Sequence, residues 1–296
     1  MVVTDAEVAE RLRVGIAGRW VGDDPVSAAA RYAMLPPGRL MRPLLLVRSA
    51  LAVGGVLDEV IPAAVGLECA HVGGLIHDDL IDQGESRRGR PAVHGVFGAE
   101  TAIVTGSALF FTWFEALADS GVAAETLVEV MRVQADAGRL ACRGAAMEVA
   151  MAEGVDTPVS TYLEMAHYKT AAMTSAACRT GALLGGAAPE RVAALSGFGE
   201  ALGMALQIRD DLAPHRQHSD MAGRRAVRRP TLPDLLAQHR AQVLVDAVHQ
   251  ATDLADHYLD RAHAHLAQLP DTPHRRALES WTHPGPVPAP RSNQDD

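Results

Sequence analysis

The sequence predicts an all-α protein, folded as a single bundle of roughly ten or more helices. Three observations point there. Apolar residues recur at spacings of three and four along nearly every segment, as on a helix with one buried face. Aromatic residues make up only 4% of the 296 positions while alanine is abundant, a balance that favours closely packed helices over strands. No segment reads convincingly as a strand, and no fixed-period repeat appears. Taken in order, residues 5–17 form a first helix, with Val8, Leu12 and Ile16 recurring every four positions. Pro36-Pro37-Gly38 breaks the chain, and a helix follows from about Pro43 to Ala52, since proline suits a first turn whose N–H groups have no partner. Residues 61–82 read as one long apolar helix with Pro62 in its first turn. Residues 83–98 carry Gly84, Gly89, Pro91, Gly95 and Gly98 and read as a loop. Further helices fit 101–119, 123–151, 160–185 and 190–213, with a turn at 186–189. The polar, basic stretch 215–230 (Arg216, Arg224, Arg225, Arg228, Arg229) reads as a loop. Helices over 232–249, 251–269 and 273–281 complete one domain, 1–282. Residues 283–296 contain four prolines and no apolar pattern, so a disordered tail is expected.

Composition narrows the function. Hydrophobic residues reach 48%, ample for a large core, and the formal net charge of −9 argues against nucleic acid as the main partner. The 27 lysines and arginines still suffice for a local anion site. Cys69, Cys142 and Cys178 lack metal-ligand spacing and read as free, buried thiols in a reducing compartment. Asp5, Glu7 and Glu10 near the start exclude a signal-peptide pattern there. The longest uncharged run, 101–114, is shorter than the roughly 20 residues a membrane span needs. A cytoplasmic protein without a membrane span is expected.

The most informative stretch is His77-Asp78-Asp79-Leu80-Ile81-Asp82, followed by Arg87-Arg88-Gly89-Arg90-Pro91 and His94. Asp78 and Asp82 stand four apart and share one helix face, where like charges repel unless a cation lies between them. Mg²⁺ suits this position, because it prefers oxygen ligands and binds carboxylates together with substrate phosphates. Arg87 and Arg88 can hold the rest of a phosphate. A second acidic group, Gln207, Asp210 and Asp211, lies at the end of another apolar helix, which Pro214 is expected to terminate. Lys169 heads an uncharged run, where a lysine is costly unless paired, and a phosphate would pair it.

Together these residues resemble the trans-prenyl diphosphate synthases of the polyprenyl synthetase group. The Asp78 block resembles that family's first aspartate-rich motif, with the RRG-x-P-x-x-H that follows it. Gly38-Arg39-Leu40-Met41-Arg42-Pro43 resembles its GK-x-x-RP element, Lys169-Thr170 its KT pair, Gln207 to Asp211 the start of its second motif, and Thr231-Leu232-Pro233 its TLP. The resemblance implies a fold with a deep central apolar cavity, and a homodimer. It implies Mg²⁺ held by Asp78, Asp82, Asp210 and Asp211 on an allylic prenyl diphosphate, with Arg87, Lys169 and Arg224 neutralising that diphosphate. Arg39, Arg42, His71 and Arg88 would hold isopentenyl diphosphate. Asp79, Thr170 and Gln207 join the catalytic set through their places in the motifs.

The chain also departs from the family pattern. Pro214 stands where a third aspartate is usual, the loop after Arg224 is short, and Gly144-Ala145-Ala146-Met147-Glu148 lacks the glutamine of the family's GQ-x-x-D element. Glu148 reads as a helix-surface acid. Gly73 and Gly74 stand where bulky residues stop chain growth in short-chain members, and Phe110, Phe111 and Trp113 could floor a longer tunnel. Chain elongation, to a product of about twenty carbons by analogy, is the expected reaction. A terpene synthase that ionises and cyclises one prenyl diphosphate is the alternative, and a non-catalytic partner subunit is a third.

Overall fold

The computed structural model describes residues 3–152, 157–216, 229–240 and 243–283. Helix α1 (Asp5–Ala17) begins where Thr4 accepts a hydrogen bond from the Glu7 N–H at 3.2 Å. Helix α2 (Pro25–Met34) escapes the periodicity reading but has a strong start: Asp24 accepts from Val26 and Ser27 N–H, and Pro25 opens the first turn. Helix α3 (Met41–Ala52) follows.

Helix α4 (Leu57–Ile81) starts four residues before the expected 61. Pro62 therefore lies inside the helix rather than in its first turn. The Asp58 carbonyl loses its helical donor, but Asp58 is exposed and water can replace it. Residues 83–98 are more ordered than a loop: a small antiparallel hairpin pairs β1 (Ser86–Arg87) with β2 (Arg90–Pro91), and α5 (Val93–Phe97) follows.

Helix α6 (Ala99–Ala118) packs along α4. Their axes approach closely at two glycines, since a Cβ on Gly73 would lie 2.6 Å from the Gly106 carbonyl oxygen. Both α4 and α6 are long and apolar enough to span a bilayer, unlike the 101–114 run considered alone. Most of α4 is nevertheless buried in the bundle.

Helix α7 (Ala124–Ala152) leads to α8 (Val159–Ala166), a π-helical turn (His167–Ala171) and α9 (Ala172–Leu184). The expected single helix over 160–185 is thus interrupted at Lys169. Helix α10 (Pro189–Arg216) runs past Pro214 instead of ending before it. A proline in the last turn removes one hydrogen bond but does not forbid the turn. Two helices, α11 (Leu232–Arg240) and α12 (Leu244–Leu266), replace the expected 232–249 and 251–269, with the break falling earlier. Helix α13 (Pro273–Glu279) is capped by Thr272.

The larger core joins α1, α3, α4, α6, α9 and the first half of α10. A smaller one joins α8, the end of α10, α11 and α12. Helix α10 belongs to both. Cys69 and Cys178 are buried, and burial pushes both thiols up to about 12, so they stay protonated. Cys142 is exposed, contrary to expectation, because it falls on the outer face of α7. The tail 284–296 and most of the basic stretch, including Arg224, lie outside the described residues.

Candidate active site

Helix α4 delivers carboxylates to its C-terminal end, where the helix dipole is negative and acids are disfavoured without a cation. Each acid there meets a different environment. Asp79 is buried and accepts two bonds from Arg87, from Nε and Nη2, each at 2.7 Å. Asp79 therefore holds Arg87 in place instead of facing the open side, and this bidentate pair defines where the rest of the guanidinium points. Asp82 is buried and bonded to Arg229. Asp78 stays partly exposed.

The hairpin sets the arginine pair. Its central residues Arg88 and Gly89 both have positive φ, 53° and 74°, as a type I′ turn requires. Arg88 is a non-glycine residue in the left-handed region, so the backbone strain is real and is offset by surrounding contacts. Several of these come from the end of α2: Tyr32 donates to the Pro91 carbonyl at 2.8 Å, Arg90 donates to the Leu35 carbonyl at 2.8 Å, and the Arg90 guanidinium lies 4.0 Å from the Tyr32 ring centre. The turn brings the Arg88 guanidinium against Gly38, where any Cβ would collide with it.

Beside it, Arg42 and His71 form a half-buried group. Arg42 Nη1 lies 3.0 Å from His71 Nε2. Burial, with Arg42, Arg88 and Arg87 nearby, holds His71 well below its ordinary pKa, so the imidazole is neutral. Burial also lowers Arg42, opposed by Glu68, Asp210 and Asp78. Those three acids come from α4 and α10, so Arg42 faces both helix ends. Arg39, expected with this group, is exposed.

At the other end, α10 presents Asp210 in an exposed position. Asp211 turns elsewhere: its oxygens accept from the Leu232 N–H at 3.1 Å and from Gln207 at 3.3 Å. Burial pushes its pKa up to about 6, against the pull of those bonds and of Tyr162. Asp211 thus serves the start of α11, and Asp210 is left as the outward acid of the expected pair. Gln207 accepts from Thr170 at 2.6 Å, which ties α10 to the π turn. That turn approaches α7 at Gly144, where a Cβ would lie 2.5 Å from the Lys169 nitrogen. Turns of this kind often mark functional positions. Lys169 reaches Glu148, which is buried rather than on the surface, and Arg229 bonds Glu148 as well as Asp82. A chain Lys169–Glu148–Arg229–Asp82 links the end of α4 to α7 and the π turn.

Among the described residues, no three acidic, histidine or cysteine side chains converge as a preformed metal cage. Three participants were not expected at the site: Glu68, Glu148 and Arg229. Glu68 was findable, since it lies three residues before His71 and ten before Asp78 on the same face of α4. Arg229 was not, because it sits in an arginine-rich stretch without period. Where the resemblance implies a tunnel, Gly73 packs against α6 and leaves no room, whereas Gly74 has open space around its Cβ position. Trp113 is buried beside Gly66, the Phe110 ring centre lies 5.9 Å from that of His77, and Phe111 is 69% exposed.

Comparison with known proteins places the fold in a family. The family model described as Polyprenyl synthetase matches residues 23–268. A short chain isoprenyl diphosphate synthase of Methanothermobacter thermautotrophicus is 37% identical over 202 residues, which is 68% of this chain and 61% of that protein. The match thus spans about three fifths of that relative's length. A geranylfarnesyl diphosphate synthase of Natronomonas pharaonis is 33% identical over 77% of this chain and 70% of its own length. Among solved structures, a geranylgeranyl pyrophosphate synthetase from the archaeon Geoglobus acetivorans superposes with a TM-score of 0.86 at 27% identity, covering 95% of this chain and 98% of that one. The chain belongs to the polyprenyl synthetase family.

Proposed function

We propose that the protein is a prenyltransferase that joins isopentenyl diphosphate to an allylic prenyl diphosphate. The observation that carries this reading is the presence of two separate cationic groups flanking the acidic end of α4. One is Arg42 and Arg88 beside neutral His71; the other is Lys169 and Arg229 beside Glu148. An enzyme with one diphosphate substrate has no need of both.

The donors fit Mg²⁺: Asp78 and Asp210 are hard oxygen donors facing the same space as Arg42, and Asp82 already neutralises a cation. Asp78, Asp82 and Asp210 would hold it, and when bound it would stabilise charge on the departing diphosphate. Lys169, and the part of Arg87 not taken by Asp79, hold the allylic diphosphate in the same sense. Arg224 would join them. Arg42, Arg88 and Arg39 bind and orient isopentenyl diphosphate, so that its double bond faces the allylic carbon as the C–O bond breaks. The new C–C bond forms, and a proton leaves to the released diphosphate. The surrounding apolar helices exclude water that would quench the cation.

Relatives named as geranylgeranyl and geranylfarnesyl diphosphate synthases, together with the space beside Gly74, support a product of about twenty carbons or slightly more. Exposed Ile103, Val104, Phe110, Phe111 and Phe114 on α6 support a homodimer through that face. Cytoplasmic residence completes the reading.

The test is incubation of purified protein and Mg²⁺ with geranyl, farnesyl or geranylgeranyl diphosphate, each with and without isopentenyl diphosphate, followed by mass identification. Longer diphosphates that appear only with isopentenyl diphosphate are expected. A hydrocarbon from an allylic substrate alone would overturn the reading.

A further inference from the structure

Glu68 is the group of the Arg42 cluster that the reaction above leaves unused. It is 2% exposed in the middle of α4, and its Oε2 has no hydrogen-bond partner. The buried Nε of Arg42 likewise lacks one. Ionised carboxylates accept several hydrogen bonds, and burying one without them is costly. Glu68 relies instead on the fields of Arg88, from the hairpin, and Arg42, from α3. Burial outweighs both and pushes its pKa up to about 7.

The neighbouring titratable groups are silent in that range. His71, facing Arg42, Arg88 and Arg87, is held neutral, and the thiol of Cys69, near Arg19 and Trp20, stays protonated. Asp78 and Asp210 act on Arg42 from the two helix ends.

Resting on the reading of this cluster as the isopentenyl diphosphate site, we propose that Glu68 makes the pocket proton-linked: a diphosphate entering beside Arg42 and Arg88 drives Glu68 to take up a proton from solvent. The entering anion draws the charge of both arginines to itself and adds a like charge beside the carboxylate, and each effect favours the neutral acid. With His71 neutral, the two arginines and an ionised Glu68 carry one net positive charge; protonation leaves two. Glu68 is thus a positioning residue that sets the charge of the pocket.

The consequence is a specific pH profile. Below about pH 7 the acid is already protonated; above it, each binding event must bring its proton. KM for isopentenyl diphosphate then rises roughly tenfold per pH unit while kcat and KM for the allylic substrate do not follow it.

The experiment is calorimetric titration of the full chain at pH 8, in two buffers of different ionisation enthalpy, with isopentenyl diphosphate and, separately, inorganic pyrophosphate. Wild type is expected to take up close to one proton more than Glu68→Gln, and the variant's KM profile for isopentenyl diphosphate to be flat. Infrared difference spectra of the wild type give a measurement that does not depend on the variant folding: a protonated-carboxyl band should appear on adding pyrophosphate at pH 8. Equal proton uptake in both proteins, or no such band, overturns the proposal. Uptake with pyrophosphate but no binding of isopentenyl diphosphate would uphold Glu68 and defeat the substrate reading. Binding of neither ligand would overturn both.

Discussion

The C-terminal ends of α4 and α10 both carry paired acids after a long apolar run, yet they are built differently. At the end of α4, Asp79 anchors Arg87, Asp82 meets Arg229, and Asp78 faces outward. At the end of α10, Asp211 is given over to the start of α11 and to Gln207, and only Asp210 faces outward. Adjacent aspartates are therefore not equivalent ligands. On a helix, neighbours point about 100° apart, so one of each pair serves the scaffold and the other the open side.

The largest effect should come from the outward acids. Asp78→Ala is expected to lower kcat/KM for elongation by at least about a thousandfold, and Asp210→Ala by roughly a hundredfold, measured in the product assay with saturating Mg²⁺. A larger loss at Asp210 would reverse the ranking of the two ends.

The inward acids should separate stability from chemistry. Asp79→Ala frees Arg87 and should cost about 1–3 kcal/mol in urea unfolding, because two charge-assisted bonds to a buried carboxylate are lost. Activity should fall as well, since Arg87 loses its orientation. Asp211→Ala should cost about 1 kcal/mol, the usual value of a helix cap. Asp211→Asn, which keeps an acceptor for the Leu232 N–H, should lose less, and both should retain most activity. Inactivation by Asp211→Asn would show that this acid also binds metal.

A separate effect lies in pH dependence. The Glu68 pKa is raised from 4.5 to about 7 on folding, so between those values the native state binds more protons than the unfolded chain. Stability contributed there is present at low pH and falls as pH rises through that window. The difference in unfolding free energy between wild type and Glu68→Gln should shift in favour of the variant from pH 4.5 to 7 and then level off. A constant difference would place the Glu68 pKa near its ordinary value.

Much of this was legible beforehand, for reasons visible in particular residues. The α4 face carrying His71, Asp78 and Asp82 follows from helical spacing alone, as do the boundaries of α1. Helix α2 was missed although both its amphipathic pattern and its Asp24-Pro25 start were there to be read. That omission mattered, since α2 supplies the Tyr32 contacts that hold the hairpin. The hairpin itself was hidden because glycine and proline mark turns without saying how the flanking residues pair. Gly73 and Gly74 looked alike in sequence, but only Gly74 borders open space, because Gly73 lies where α6 crosses.

By itself, the sequence determined the helical class, most of the long helices and the family, because periodicity, composition and contiguous motifs are local properties. It also placed carboxylates at two helix ends. Only the tertiary structure decided which aspartate faces outward, that Glu148 and Arg229 tie the end of α4 to the π turn, and that Glu68 lies buried near two arginines. Those outcomes depend on which helices touch and how deeply they exclude water, and burial is what turns an ordinary carboxyl into one that titrates near neutrality.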